Sequence, residues 1–314
     1  MKTLINGLHH ITAIASDAQR NVDFYVGVLG LRLIKKTVNF DAPDVYHLYY
    51  GDREGTPGSV LTFFPYAGLQ RGRKGGGQLT YTAFSIPKAS LAYWMDRLTS
   101  FGIPYSSPYS RFDESYLRFE DYDGMGIELV ANQNDLRPGW DNGKIPLDYS
   151  IRGFYTATLN EFFIDKTIAL LTDVMQHKLI AEETDLWRFE ALKGGPGNYV
   201  DVKKSSKDVR ALQGAGSVHH IAFSTDTDET QLEIREKLLT AGFHPTEVLD
   251  RNYFHSIYYR EPGGILFEIA TNPPGFTVDE SLSELGTGLK LPEWYEARRS
   301  DIEAELPSLV SEAK

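Results

Sequence analysis

The sequence contains no cysteine. Disulfides, thiolate zinc sites, iron–sulfur clusters and a cysteine nucleophile are thereby excluded. It also lacks any apolar run of about 18 residues, so no helix is expected to span a membrane. The opening Met1-Lys2-Thr3-Leu4-Ile5-Asn6-Gly7 has no apolar core of the kind a secretory signal needs. Basic residues are scarce: 32 Lys and Arg stand against 43 Asp and Glu, for a net charge of −11. Nucleic acid wants the opposite field, so neither nucleic acid nor membrane is an expected partner, and the expected location is cytoplasmic. With 41% hydrophobic and 24% charged residues, the 314-residue chain has an ordinary globular composition, enough for one large domain or two. Aromatic residues are abundant, with 18 tyrosines and 17 phenylalanines. An aromatic core is the plain explanation, and an aromatic-lined pocket for a flat apolar ligand is the further one.

Four segments follow one plan of strand, helix and several strands. They open at Leu8-His9-His10-Ile11, Leu79-Thr80-Tyr81-Thr82, Gly153-Phe154-Tyr155-Thr156 and Val218-His219-His220-Ile221. In the first, Asp17 is placed to cap a helix carrying Val22, Tyr25, Val26 and Leu29, and Gly30 is placed to end it. The second helix carries Trp94 and Leu98, the third Ile168 and Leu171, and the fourth Leu232, Leu238 and Leu239. The fold class read from this pattern is α+β: four βαβββ modules, two per domain. The expected boundaries are 1–131 for the first domain, 132–150 for a linker, 151–271 for the second domain and 272–314 for an extension. A surface helix is expected from Pro292 to Leu306, packed across a domain or subunit seam.

Paired βαβββ modules that open on His and close on Glu resemble the vicinal oxygen chelate superfamily. That group includes glyoxalase I, extradiol ring-cleaving dioxygenases and antibiotic-resistance proteins. The resemblance covers about 270 residues, from Met1 to Ala270. It implies that paired modules form cupped mixed β-sheets with flanking helices, each cup able to hold a metal or ligand.

Four of the eight histidines lie in two identical His-His-Ile contexts on the opening strands of modules 1 and 4. Strand side chains alternate faces, so one His of each pair should face the cup and the other should face away or stand behind it. Alternation alone does not say which. Glu268 sits inside the apolar run Ile265-Leu266-Phe267-Glu268-Ile269-Ala270, where a buried carboxylate needs a cation or strong donors. Two His and one carboxylate form the facial set of non-haem Fe(II) oxygenases. Modules 2 and 3 hold Tyr81 and either Phe154 or Tyr155 at the His positions and keep Glu128, so that cup is expected to be structural. Asp201 is a second carboxylate, expected to lie one residue out of register with Glu268. Module 1 offers only Thr62 or Phe63 where a fourth ligand would stand. Glyoxalase-type isomerases resemble one another in using four protein ligands, two of them Glu.

A site shared by modules 1 and 4 resembles the hydroquinone ring-cleaving dioxygenases, as do Leu8-His9-His10-Ile11-Thr12-Ala13, Val218-His219-His220-Ile221-Ala222-Phe223 and Leu266-Phe267-Glu268-Ile269-Ala270. The resemblance implies His10, His220 and Glu268 as metal ligands, Fe(II) as the metal with Mn(II) as the alternative, and a small aromatic substrate with O2. It further implies catalytic roles for His9, Thr12, His219, Arg251 and Tyr258. Tyr258 lies ten residues before Glu268 and Arg251 seventeen before it. His9 or His219 could take the proton a hydroquinone loses on binding metal, and Arg251 and Tyr258 could donate to a developing anion. His255 lies in the same segment as a weaker candidate. Two other readings stand beside this one: a metal-dependent glyoxalase-like lyase or isomerase, and a metal-free small-molecule-binding resistance protein. A homo-oligomer is compatible with all three.

Overall fold

The computed structural model describes residues 2–311 except 142, 192, 193 and 207. Met1, residue 142 of the expected linker and residues 312–314 of the expected extension lie outside the described residues.

All four modules form. Module 1 comprises β1 (Gly7–Ala15), α1 (Ala18–Val22), β2 (Arg32–Asn39), β3 (Ala42–Gly51) and β4 (Val60–Pro65). Module 2 comprises β5 (Gln78–Pro87), α2 (Leu91–Ser100), β6 (Tyr109–Arg111), β7 (Glu114–Glu120) and β8 (Gly126–Asn132). Module 3 comprises β9 (Gly153–Glu161), α3 (Asp165–Ala169), β10 (Lys178–Glu183), β11 (Leu186–Glu190) and β12 (Tyr199–Lys204). Module 4 comprises β13 (Val218–Thr225), α4 (Asp228–Thr240), β14 (Leu249–Asp250), β15 (Phe254–Arg260) and β16 (Leu266–Pro274).

Local chemistry explains the helix ends. The Asp17 side chain accepts from the Arg20 amide at 2.8 Å, as an N-cap should. Helix α1 widens into a π-turn over Asp23–Val28, and Gly30 leaves it with φ +68°, which favours glycine. Helix α4 turns a different face inward than the leucine spacing predicted. Leu232 and Leu239 are exposed, and the buried positions are Thr230, Gln231, Ile234 and Leu238.

Two eight-stranded mixed sheets result. One runs β14-β15-β16-β13-β1-β4-β3-β2 and the other β10-β11-β12-β9-β5-β8-β7-β6. Within each module the opening strand runs parallel to the closing strand, and the opening strands of paired modules run antiparallel. Each sheet therefore takes one module from each half of the chain. Helix residues Val22, Trp94, Leu171 and Ile234 join alternate strand residues such as Leu61, Phe84, Leu159 and Phe223 in one apolar core. The other faces of the strands line the two cups.

The expected tail helix is split into α5 (Glu293–Glu296) and α6 (Arg299–Glu305), with Pro292 as the N-cap of the first. The extension covers the edge strand β2. Lys290 donates its amide to the Lys36 carbonyl at 2.9 Å, and Tyr295 Oη donates to the Phe40 carbonyl at 2.8 Å. The fully buried Lys35 ammonium on β2 is paired with Asp279 and Glu280 of the same extension. No described helix is long and apolar enough to cross a membrane.

Candidate metal centre

Strict alternation would send His9 and His10 to opposite faces. Two β-bulges override it. Leu8 pairs with Phe223 and His10 with Ala222, so His9 is the extra residue of β1. Thr12 pairs with His220 and Ala13 with Val218, so His219 is the extra residue of β13. A bulge re-aims side chains at the point where the ladder is interrupted. Consequently His9 Nδ1 lies 2.9 Å from His10 Nδ1, and His219 Nδ1 lies 2.8 Å from His220 Nδ1.

The far nitrogens of the second His in each pair converge. His10 Nε2 and His220 Nε2 are 3.2 Å apart, and Glu268 Oε2 lies 3.3 Å from the first and 3.0 Å from the second. Glu268 reaches this point from β16, where it stands beside Ala222 of β13. All three side chains are buried, and among the described residues they form the one cluster of three metal-binding side chains.

The donor set fits a divalent metal. Glu268 Oε1 accepts from Ser256 Oγ, but Oε2 has no hydrogen-bond donor among the described residues. A buried carboxylate oxygen left without a donor is costly unless a cation meets it. If each ligand imidazole donates Nδ1–H to its neighbouring His, both Nε2 lone pairs also point at the shared centre. Metal bonds of about 2.1 Å at right angles place neighbouring donors about 3.0 Å apart, close to the spacing seen. Burial, and the charge at His10, lower His9 to about 3. Burial, helped by His220 and Arg260, lowers His219 to about 4. Both are therefore neutral near pH 7 and able to accept.

The remaining predicted residues separate into wall and floor. A cavity of about 330 Å³ opens above the three donors. That is the small end of the range for ligand pockets and suits a single ring. His219, Arg251 and Tyr258 line it, with Phe64, Phe254 and Leu266 as apolar wall. Tyr258 stands opposite Glu268 in the β15–β16 ladder, its ring edge-on to His220 at 5.7 Å. Arg251 Nε donates to Tyr258 Oη at 3.3 Å, and its Nη1 lies 3.5 Å from Asp41 Oδ2. Burial and the Glu268 charge push the Tyr258 phenol above its ordinary value, so it keeps its proton. His9 packs behind His10 against Phe254, and Thr12 is fully buried on Thr62; neither lines the cavity. His255 is not brought to the site and pairs with Asp228 at 2.7 Å.

Sequence reasoning missed Ser256, His47, Tyr49 and the β2–β3 turn at Asn39, Phe40 and Asp41, which borders the cavity. A signal existed for two of them: in Tyr46-His47-Leu48-Tyr49-Tyr50, alternation puts 47 and 49 on one face.

The second cup is filled from within. Glu128 stands beside Ala83 and Asp201 beside Thr158, and the same bulges recur at Thr80 and Tyr155. Thr156, rather than Phe154 or Tyr155, is thus the counterpart of His220, and Asp201 is in register with Glu268 rather than one residue out. The bulge residue cannot be seen without the partner strand, and it shifts the count by one. Arg111 Nη2 lies 3.0 Å from Glu128 and 3.2 Å from Asp201. Arg118 pairs with Glu128 at 2.7 Å and Arg188 with Asp201 at 2.7 Å. An arginine of the chain occupies this cup where the other presents a metal-binding set.

Comparison with known proteins adds relatives. The family model for the glyoxalase/bleomycin resistance protein/dioxygenase superfamily matches residues 7–129 and 154–269. The chain is 45% identical over 300 residues to the “putative ring-cleaving dioxygenase MhqO” of Bacillus subtilis (strain 168), covering 96% of this chain and 95% of that one. It is 34% identical over 311 residues to the chlorohydroquinone/hydroquinone 1,2-dioxygenase of Sphingobium indicum, covering 95% of each. The crystal structure of a “putative dioxygenase” from Bacillus subtilis superposes with a TM-score of 0.95 at 43% identity over the whole of both chains. Glyoxalase I from Zea mays shares the fold at a TM-score of 0.63 and 12% identity, over 85% of this chain and 92% of that one.

Proposed function

Because the chain belongs to the glyoxalase/bleomycin resistance protein/dioxygenase superfamily, we propose that it is a ring-cleaving dioxygenase. Its substrates in this reading are hydroquinones and O2. Its metal is Fe(II), with Mn(II) as the alternative, held by His10, His220 and Glu268. The relatives named ring-cleaving dioxygenases match it over nearly their whole length and support an oxidoreductase of that type. The observation that carries the reading is the three-donor set with no fourth protein ligand among the described residues. Thr62 holds the position equivalent to Glu268, and its short hydroxyl is already engaged by Thr12 and His47. That argues against a four-ligand isomerase. The intact donor set argues against a metal-free binding protein.

When bound, the metal supplies coordination sites for a phenolate oxygen and O2 and a path for electrons between them. The chain's residues do the rest. His9 and His219 accept Nδ1–H from the two ligand imidazoles and fix their orientation. With Nδ1 so engaged, neutral His219 carries its proton on Nε2, so at the cavity it offers a donor to a substrate oxygen rather than the proton acceptor the sequence suggested. Arg251 donates to Tyr258 Oη, which leaves the phenolic proton free for an oxygen that gains charge in the reaction. Phe64, Phe254 and Leu266 exclude water from the ring.

The test is an oxygen-electrode assay of protein loaded anaerobically with Fe(II), run against a panel of hydroquinones and catechols. O2 uptake with hydroquinones at higher kcat/KM than with catechols is expected. Bound metal without O2 uptake would favour the lyase, and absence of metal binding would favour the resistance protein. Faster catechol turnover would overturn the substrate class alone.

A further inference from the structure

The paired modules are related by register, and that relation picks out a second tyrosine. Tyr258 stands opposite Glu268 in its ladder, and Tyr49 stands opposite Thr62, the counterpart of Glu268. Ser256, two residues before Tyr258, contacts Glu268; His47, two residues before Tyr49, contacts Thr62. Tyr49 and His47 both border the cavity, and in the sheet order β16-β13-β1-β4-β3 their strand lies beyond the two His strands from Glu268.

These side chains form one hydrogen-bonded chain. Tyr49 Oη lies 2.8 Å from His47 Nδ1, His47 Nε2 lies 2.8 Å from Thr62 Oγ1, and Thr62 Oγ1 lies 2.8 Å from Thr12 Oγ1. A neutral imidazole donates from one nitrogen and accepts at the other, so the chain has two polarities. In one, the spare hydroxyl proton ends on Thr12, which is fully buried and has no other partner among the described residues. An unmade donor there is costly. In the other, Thr12 donates to Thr62, Thr62 to His47 Nε2, and His47 Nδ1–H to Tyr49, leaving the Tyr49 proton at the cavity. The second polarity wins. Burial also pushes the Tyr49 phenol well above its ordinary value, so the proton stays on it.

Resting on the dioxygenase reading, we propose that Tyr49 donates a hydrogen bond to the ring oxygen that does not bind the metal. Glu268 fills one side of the metal-binding set, so a ring attached there extends toward the opposite wall. Para oxygens cannot both reach one metal, and the far one needs a donor at that wall. His47, Thr62 and Thr12 are positioning residues that set the direction of the Tyr49 proton. Tyr49 thereby selects para-dihydroxy rings.

The experiment compares anaerobic equilibrium binding of hydroquinone and of 4-methylphenol, which replaces the far hydroxyl with a methyl of similar size, to the Fe(II)-loaded enzyme. Wild type should bind hydroquinone about 10-fold more tightly, the worth of one buried hydrogen bond. Tyr49→Phe should bring the ratio near one by weakening hydroquinone alone. Thr62→Val, which does not border the cavity, should also lower the ratio. Three results would overturn the assignment: a ratio near one in wild type, a ratio unchanged in either variant, or equal weakening of both ligands. Failure of wild type to consume O2 with any hydroquinone would instead count against the dioxygenase reading.

Discussion

Glu128 and Glu268 occupy equivalent strand positions in two cups, yet replacing each by Gln should have opposite consequences. Glu128 is fully buried and receives Tyr109 Oη at 2.6 Å, Arg111 at 3.0 Å, and Arg118 Nε and Nη2 at 3.1 and 2.7 Å. Glu128→Gln removes the charge that two guanidinium groups were desolvated against. Arg111 keeps Asp201, but Arg118 loses its only ion pair among the described residues. Breaking a fully buried pair from one side costs about 3–5 kcal/mol, but the Arg118 side chain is 36% exposed and partly solvated, so the loss here should be about 2–3 kcal/mol. At about 2.1 cal/mol/K per residue, a 314-residue chain unfolds with an entropy of about 0.66 kcal/mol/K, so the Tm should fall by about 3–5 °C. Metal content should not change. Glu268→Gln removes a carboxylate oxygen that has no donor among the described residues, so the Tm of the apoprotein should stay within about 2 °C. Metal affinity should fall well beyond the roughly 10–100-fold typical of residues behind the ligands. Scanning calorimetry of apoprotein and metal analysis of loaded protein decide it. Metal loss in Glu128→Gln, or full metal retention in Glu268→Gln, would refute the division of labour between the cups.

Two further outcomes are expected. Tyr258→Phe keeps the ring against His220 but removes the donor, so kcat should drop about 10²–10³-fold with metal content and Tm unchanged; an active, metal-replete variant would return Tyr258 to the wall packing. Burial and the Glu261 carboxyl push Glu161 up to about 9. Its folded form holds the proton more tightly than the unfolded chain, so its contribution is full below about pH 4.5 and is lost as pH rises toward 9. Glu161→Gln should therefore melt higher than wild type at pH 8 and equally at pH 4.5; equal melting at both would disprove the strained acid.

Much of this was legible because the relevant signals are local. Asp17 caps a helix with its own side chain, and Gly30 ends one through its own backbone. Glu268 stood out because no acid belongs in Leu266-Phe267-Ile269 without a partner. The His-His pairs stood out because they recur. What escaped depended on the neighbouring strand. The bulges at His9 and His219 are relations between β1 and β13, and of the two places expected for the other His, facing away or standing behind the ligand, they select the second. The same invisible shift misplaced Asp201. His47 and Tyr49 escaped because the alternation that buries a residue does not say whether it meets side chains or a cavity. In α4, Leu232 and Leu239 face outward because Gln231 turns inward instead. Its amide donates to the carbonyls of His255 and Ile269 at 2.8 Å, which ties the helix to β15 and β16 and sets its rotation.

The two cups also explain why the chain can keep a costly metal-binding set. Three lone-pair donors in a buried cluster oppose folding until a cation arrives. The second cup solves the same electrostatic problem with Arg111, Arg118 and Arg188, which are covalently part of the chain and always present. Equivalent positions hold tyrosines in one cup and arginines in the other: Tyr49 and Tyr258 against Arg118 and Arg188. A phenol is a neutral donor that stays beside a cavity without neutralising the carboxylate. A guanidinium in that place would pair with Glu268 and compete with the metal. The tyrosines are thus a condition for an open site as well as part of its wall. The sheet formed by modules 2 and 3 needs no ion, so it holds its shape whether or not the other cup is loaded.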